Sequence, residues 1–360
     1  MEVLWAALAV AACFGAIVQR TQFCTMGAIS DVVNMGAWTR MRQWGLAVGV
    51  AIIGFYAMGW LGWIDPRNTI YSAGRVTWLS ALVGGGFFGA GMVLASGCGS
   101  KTLVRMGSGS LKSVVVFFVM GFSAYATLSG VLAVLRVNTL DRVTFNIASG
   151  GTVPEWVAAL SGLAPGPAGL MAALVIGGAL VVWALKDKEF LSADNLLAGF
   201  GIGAAVLAMW WVSGHLAFVP EHPLTLEPVF VGSDSGKMES LTFTAPMAYA
   251  LDWLILFSDA SNLLTLGVVS VTGVLLGSWA HSLFSGTFRW EGFRDTQDTA
   301  LHLAGAVMMG FGGVTAMGCT VGQGLSGLST LSLGSMIAVA GIVLGAIGGL
   351  RFQIWLLERE

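Results

Sequence analysis

Long apolar runs, broken by short polar or glycine-rich stretches, set the pattern of this chain. A helix needs roughly 20 apolar residues to cross a bilayer, and nine runs approach that length: about 3–19, 43–63, 78–97, 113–135, 167–185, 194–213, 262–284, 299–317 and 336–356. Other pieces are too short to span yet too apolar or glycine-rich for ordinary loops: about 24–36, 98–109, 246–257 and 319–332. Broken backbone at membrane depth is tolerated where it lines a cavity, so these pieces predict re-entrant half-helices. The fold class expected is an all-α polytopic membrane protein of about nine transmembrane helices plus broken helices, a single transport domain over 1–360. Two polar stretches interrupt the pattern. One, near 136–166, carries Pro154, Pro165 and Pro167; the other, near 214–245, carries Glu221, Glu227, Asp234 and Glu239 against Lys237. Both predict external loops or caps.

Composition agrees with that pattern. Hydrophobic residues make up 56% and charged residues 10%, against about 25% charged in a soluble domain, and mean hydropathy is +0.81. A net charge of −2 with no basic stripe argues against a nucleic-acid partner. The lipid bilayer is the partner the composition demands. Fifty-one glycines let helices approach closely, and 14 tryptophans suit interfacial belts. No cleavable signal peptide is evident, because the start carries Glu2 and no early cation. With both polar stretches outside, Arg40, Arg42, Lys101, Arg105, Lys112, Lys186, Lys188, Arg289, Arg294, Arg351 and Arg359 fall inside. Arg67, Arg75, Arg136, Arg142 and Lys237 fall outside, and the excess of inner cations predicts a cytoplasmic C-terminus.

An internal repeat then appears. At a constant offset of 221 positions, Leu82, Gly84, Gly89, Gly91, Val93, Ala95, Gly97 and Cys98 match Leu303, Gly305, Gly310, Gly312, Val314, Ala316, Gly318 and Cys319. Lys101, Arg105 and Lys112 follow Cys98, whereas no cation follows Cys319 until Arg351. The positive-inside rule therefore points the two copies to opposite sides, an inverted, pseudo-twofold repeat with halves near 1–135 and 190–360. Such repeats place a substrate path near the midplane, lined by broken helices. Gly97, Gly99, Ser100, Lys101 and Thr102 in one copy, with Gly318, Thr320, Gly322, Gln323 and Gly324 in the other, are the expected supporting residues.

The four cysteines, Cys13, Cys24, Cys98 and Cys319, form no CxxC pair, so a dithiol redox motif is absent. A lone cysteine is ordinarily a small buried hydrophobe, the reading kept for Cys13. Cys98 and Cys319 sit at matched breaks, which suits a path. Sulfur oxyanions are costly to dehydrate, and thiols with exposed backbone N–H groups offer weak replacement contacts that an ion can enter and leave. Arg20 and Asp31 are possible intramembrane charges, functional or anchoring. His281 and His302 read as structural, with no pairing visible. No GxxxxGK[ST] run is present to cradle phosphates, and the pattern calls for no metal and no cofactor.

Three segments carry a resemblance. Gln19–Ala28 (QRTQFCTMGA), Gly97–Arg105 (GCGSKTLVR) and Gly318–Gly327 (GCTVGQGLSG) resemble the three cysteine motifs of the YeeE/YedE family, and the likeness extends over nearly the whole chain. The resemblance implies an hourglass-shaped bacterial inner-membrane protein with inverted repeats. It also implies a thiosulfate path lined by Cys24, Cys98 and Cys319, with no counterpart for Cys13. Family members often work beside a small cytoplasmic sulfur-carrier protein resembling the TusA type. Some relatives are tied to selenium, so selenium or other sulfur species stay open as cargo. A membrane sulfurtransferase or thiol oxidoreductase forming a cysteine persulfide is the alternative class. The polar stretches near 136–166 and 214–245 look longer than in compact members.

Overall fold

The computed structural model describes residues 1–147, 150–221, 226–259 and 263–358. Arg359, and the start of the expected run 262–284, lie outside them. The chain is mostly helical. In order, α1 spans Glu2–Thr21, α2 Thr25–Met35, α3 Thr39–Trp60, α4 Trp78–Leu94, α5 Gly99–Gly107, α6 Leu111–Leu128 and α7 Val131–Asn138. There follow α8 Val153–Ser161, α9 Pro165–Leu185, α10 Ala193–Leu216, α11 Thr244–Ile255, α12 Leu266–Phe284, α13 Thr296–Thr315 and α14 Leu333–Leu357.

Eight helical stretches among the described residues are long and apolar enough to cross a membrane, so the chain is a multi-pass, all-α membrane protein. The ninth expected run is a helix of full length, α13, but its first turns carry Gln297, Asp298 and His302. The run 113–135 is not continuous. Ser129 ends α6 and Gly130 is extended, so α7 starts afresh. The short runs are separate helices, α2, α5 and α11, and Gly322–Gly327 is wound as a π-turn. The polar stretches are structured caps rather than open loops. The first holds α8, whose Thr152–Glu155 capping box fixes its start, and the strand Phe145–Asn146, paired with Arg75–Val76. The second holds the hairpin of Phe218–Val219 with Val229–Phe230.

Packing follows the logic of a lipid solvent, where apolar area alone drives no helix association and small residues at the contact do. In α9 the large side chains Met171, Leu174, Val175 and Val182 face outward, while Ala168, Gly169, Ala172, Ala173 and Gly177 are buried. A Cβ added at Gly49 of α3 would stand 2.8 Å from the Gly177 carbonyl, so backbones touch at that crossing. Exposed tryptophans such as Trp5, Trp60, Trp63 and Trp290 lie near helix ends, where an amphipathic ring sits at headgroup level.

Helices α4 and α13 hold the centre. A Cβ at Gly84 would meet the Gly312 carbonyl at 2.8 Å, and one at Gly91 the Gly305 carbonyl at 2.7 Å. Contacts that run in opposite senses along the two helices make them antiparallel. At the 221-position offset Gly84 corresponds to Gly305 and Gly312 to Gly91, so the two contacts exchange with one another. The same offset overlays α2 on α11, α3 on α12, α5 on the π-turn and α6 on α14. Contacts exchange likewise: α13 packs on α6, and α4 packs on α14.

Candidate functional site

Each motif cysteine follows a residue in left-handed backbone conformation by two positions. Gln22 (φ 53°), Ser96 (φ 56°) and Met317 (φ 57°) precede Cys24, Cys98 and Cys319. Such a residue ends a helix, and non-glycine residues hold this conformation only where the surroundings impose it. The helix ends share hydrogen bonds as well. Gly97 N–H donates to the Met92 carbonyl at 2.8 Å and Gly318 N–H to the Gly313 carbonyl at 2.8 Å. The chain then restarts: Cys24 is the N-cap of α2, Cys98 the N-cap of α5, and Cys319 opens the turn into Gly322–Gly327.

The thiols therefore sit at the starts of short helical segments, among free N–H groups. Cys24 Sγ accepts from Gly27 N–H at 3.4 Å and Cys319 Sγ from Gly322 N–H at 3.4 Å. The N–H groups of Phe243 and Val321 also face the Cys319 sulfur. Cys98 Sγ lies 3.3 Å from Ser100 Oγ. Cys98 and Cys319 are buried, and Cys24 is half-buried. Cys98 lies close enough to both Cys24 and Cys319 for their charges to interact. Cys98 is thus the thiol that the other two motifs share as a neighbour.

Two cavities approach this cluster from opposite ends of the α4–α13 pair. One, of about 1090 Å³, is lined by Gln22, Ser96, Lys101, Arg105, Lys112 and His302, at the end of α4 and the start of α13. The other, of about 720 Å³, is lined by Tyr71, Thr77, Ala316, Met317, Gln323 and Ser335, at the start of α4 and the end of α13. On the side of the second cavity are polar groups with spare hydrogen-bonding capacity. Thr244 Oγ1, Thr320 Oγ1, Gln323 Oε1 and Ser335 Oγ are buried without a partner among the described residues. Buried polar groups are ordinarily satisfied, so the Gln323 and Ser335 oxygens, whose residues line this cavity, stand ready to meet something else. Gln323 itself is fixed, its Nε2 donating to the Ala316 carbonyl at 2.6 Å.

The ten expected supporting residues fall in two sets, one around each of two motif cysteines. Gly97, Gly99, Ser100, Lys101 and Thr102 surround Cys98, with Thr102 Oγ1 donating to the Cys98 carbonyl at 3.1 Å. Gly318, Thr320, Gly322, Gln323 and Gly324 surround Cys319 and are buried. Arg20 pairs with Asp194 at 3.1 Å, both well exposed, and Asp31 pairs with Arg40 at 3.4 Å. Cys13 is exposed on α1, not buried as a lone cysteine ordinarily is. His302 does have a partner, Asp298, at 2.9 Å.

Two residues escaped the sequence reading. Gln22, at the turn before Cys24, accepts from Lys101 Nζ at 2.6 Å and so ties the first motif to the second. Tyr71, in a linker with no periodicity to mark it, buries its ring beside Cys319. Burial pushes its phenol well above the ordinary tyrosine value, which keeps it a donor.

A family model described as sulphur transport matches residues 20–348. The thiosulfate transporter TsuA of Escherichia coli (strain K12) is 26% identical over 348 residues, covering 93% of this chain and 90% of its own. The thiosulfate transporter TsuA of Spirochaeta thermophila is 26% identical over 363 residues, covering 95% of this chain and 96% of its own.

Proposed function

The chain belongs to the sulphur-transport family, and from that premise we propose that it carries thiosulfate through a constriction lined by Cys24, Cys98 and Cys319. The anion enters from the cavity below Tyr71 and Gln323, passes Cys319 and then Cys98, and leaves into the cavity lined by Lys101 and Arg105. The observation that carries this reading is the convergence of the three motif thiols, two of them fully buried, between two opposed cavities. S–H groups, backbone N–H groups and the unpartnered oxygens of Thr320 and Ser335 replace lost water. Each contact is weak, which suits passage better than capture.

The exchange of contacts between equivalent helices supports a duplicated chain whose halves, near 1–135 and 190–360, are inverted about an axis between α4 and α13. The cation-rich cavity is the inner one by the positive-inside rule, in a bacterial inner membrane with the C-terminus cytoplasmic. A TusA-like sulfur carrier is the partner expected at that mouth, where the anion is delivered.

Uptake of labelled thiosulfate, in cells lacking their own sulfate and thiosulfate systems, tests the reading. Wild-type chain should restore uptake, and Cys98→Ala and Cys98→Ser should abolish most of it. Full uptake with Cys98→Ala removes the cysteine path.

A further inference from the structure

Lys101 is 6% exposed, and among the described residues it makes no ion pair. Its ammonium offers three donors, and the one acceptor bound to it is Gln22 Oε1 at 2.6 Å. The charged neighbours are Arg105 and Arg40, with the thiols of Cys24 and Cys98 nearby. Removing an ammonium from water without a counter-charge is costly, and natural proteins pair such groups. Arg105 is similar: it donates to the Ser96 carbonyl at 2.7 Å and makes no ion pair among the described residues.

The carboxylates of the same cavity are already engaged. Glu291 and Asp298 stand 3.1 and 3.6 Å from Lys112 Nζ, Asp298 also holds His302, and Asp295 caps α13 by accepting from the Asp298 N–H at 2.7 Å. Two cations next to the thiol constriction are therefore left uncompensated, facing a cavity large enough for a small anion and its remaining water. The other cavity carries Arg75, Arg136 and Arg142, of which Arg136 pairs with Asp141 at 3.4 Å, but none of them belongs to the broken helix that follows Cys319. The repeat equivalent of Lys101 is Gly322, and no Lys or Arg follows Cys319 until Arg351.

We infer that Lys101 and Arg105, with Gln22 holding the ammonium in place, form a binding site for a divalent sulfur oxyanion on the inner side of the constriction. The inference rests on the thiosulfate reading for its cargo, and it assigns the path a charged station that the thiols do not supply. The anion that leaves Cys98 supplies the counter-charge that the folded chain lacks. Because the broken helix after Cys98 carries these cations and the one after Cys319 does not, the two thiols are flanked asymmetrically, and a dianion is held beside Cys98 before release. A divalent anion supplied from the side of release competes for the same station.

The test is made on the purified full-length chain. Thiosulfate should raise the unfolding temperature of wild type, and chloride at equal ionic strength should not. Lys101→Gln and Lys101→Met should lose that rise. Because each removes an uncompensated buried charge, both should unfold, without ligand, at or above the wild-type temperature. In cells, Lys101→Gln should lower thiosulfate uptake at low concentration by about tenfold or more, the scale of truncating one partner of a buried charge pair. A rise as large in Lys101→Gln as in wild type overturns the inference. So does unfolding of both Lys101 variants without ligand below wild type, because Lys101 is then a structural residue. The two readings fail separately. If wild type takes up no thiosulfate but sulfate or selenate gives a Lys101-dependent rise, the cargo is wrong and the station stands.

Discussion

The hydroxyl of Tyr71 donates to the carbonyl of Gly322 at 2.9 Å, across 251 positions of sequence. It ties the linker before α4 to the π-turn that follows Cys319. That carbonyl belongs to an irregular turn, where the helical bonding that would otherwise occupy it is disturbed. Tyr71→Phe keeps the ring and removes the donor, leaving a buried carbonyl without its partner. The expected cost is about 1–3 kcal/mol, read as a lower unfolding temperature in detergent. Thiosulfate uptake should fall severalfold with it, because the turn that presents the Gly322 N–H to Cys319 loses its tether.

Backbone contact between α4 and α13 makes a second expectation. A Cβ at Gly84 would stand 2.5 Å from the backbone nitrogen of Ala316 and 2.8 Å from the Gly312 carbonyl. Backbone at such a crossing has no side-chain rotamer to yield, so Gly84→Ala must separate the helices. Overpacking of this kind costs about 1–3 kcal/mol. At Gly178 of α9 a Cβ would meet nothing within 4 Å. Gly178→Ala should be neutral, or stabilising by up to about 1 kcal/mol through the helix propensity of alanine. Thermal unfolding of the two variants side by side separates a glycine needed for contact from one that is free.

Much of this architecture is legible in the sequence because hydrocarbon imposes a simple grammar. Apolar length gives the spans, and the matched run ending at Cys98 and Cys319 locates the broken helices that bring thiols to the centre. Long-range bonds leave no such mark. Tyr71 lies in a polar linker whose partner is hundreds of residues away, and Gln22 looks like any polar residue at a helix end until Lys101 reaches it. The partners of charges leave no mark either. Arg20 and Asp31 sit in an apolar region, but Asp194 and Arg40, distant or beyond a turn, neutralise them. The break at Ser129–Gly130 was hidden because both flanks are equally apolar. Hydropathy records solvent, not backbone direction.

Cys24 separates a structural use of sulfur from a transport use. As N-cap of α2 it accepts from Gly27 N–H, a task for which serine is a preferred residue and alanine is not. Cys24→Ala should cost about 0.5–2 kcal/mol of stability, and Cys24→Ser should cost little or nothing. If the thiol itself meets the anion, both should impair uptake although only one loosens the helix. Uptake retained by serine and lost by alanine would make the residue a cap and no more. Cys13→Ser should change neither property, since that side chain faces outward from α1.

Charge supplies the sharpest expectation at the outer end of the path. Gln323 follows Cys319 by one turn, with its Nε2 anchored on the Ala316 carbonyl and its Oε1 buried without a partner. Gln323→Glu keeps the size and adds an ionisable carboxyl. A carboxylate about 5 Å from a passing anion costs roughly 3 kcal/mol for each unit of the anion's charge at an effective dielectric near 20, so a dianion should be excluded almost completely. Burial favours the neutral acid, which fixes the sign of the pH dependence. As pH falls through the carboxyl's pKa the repulsion disappears and uptake recovers; as pH rises it is lost again. Wild type, with an amide at this position, should show no such recovery. Initial uptake rates of both proteins between about pH 5 and 8 decide it, and a variant equally active across that range would mean that the anion never comes near Gln323.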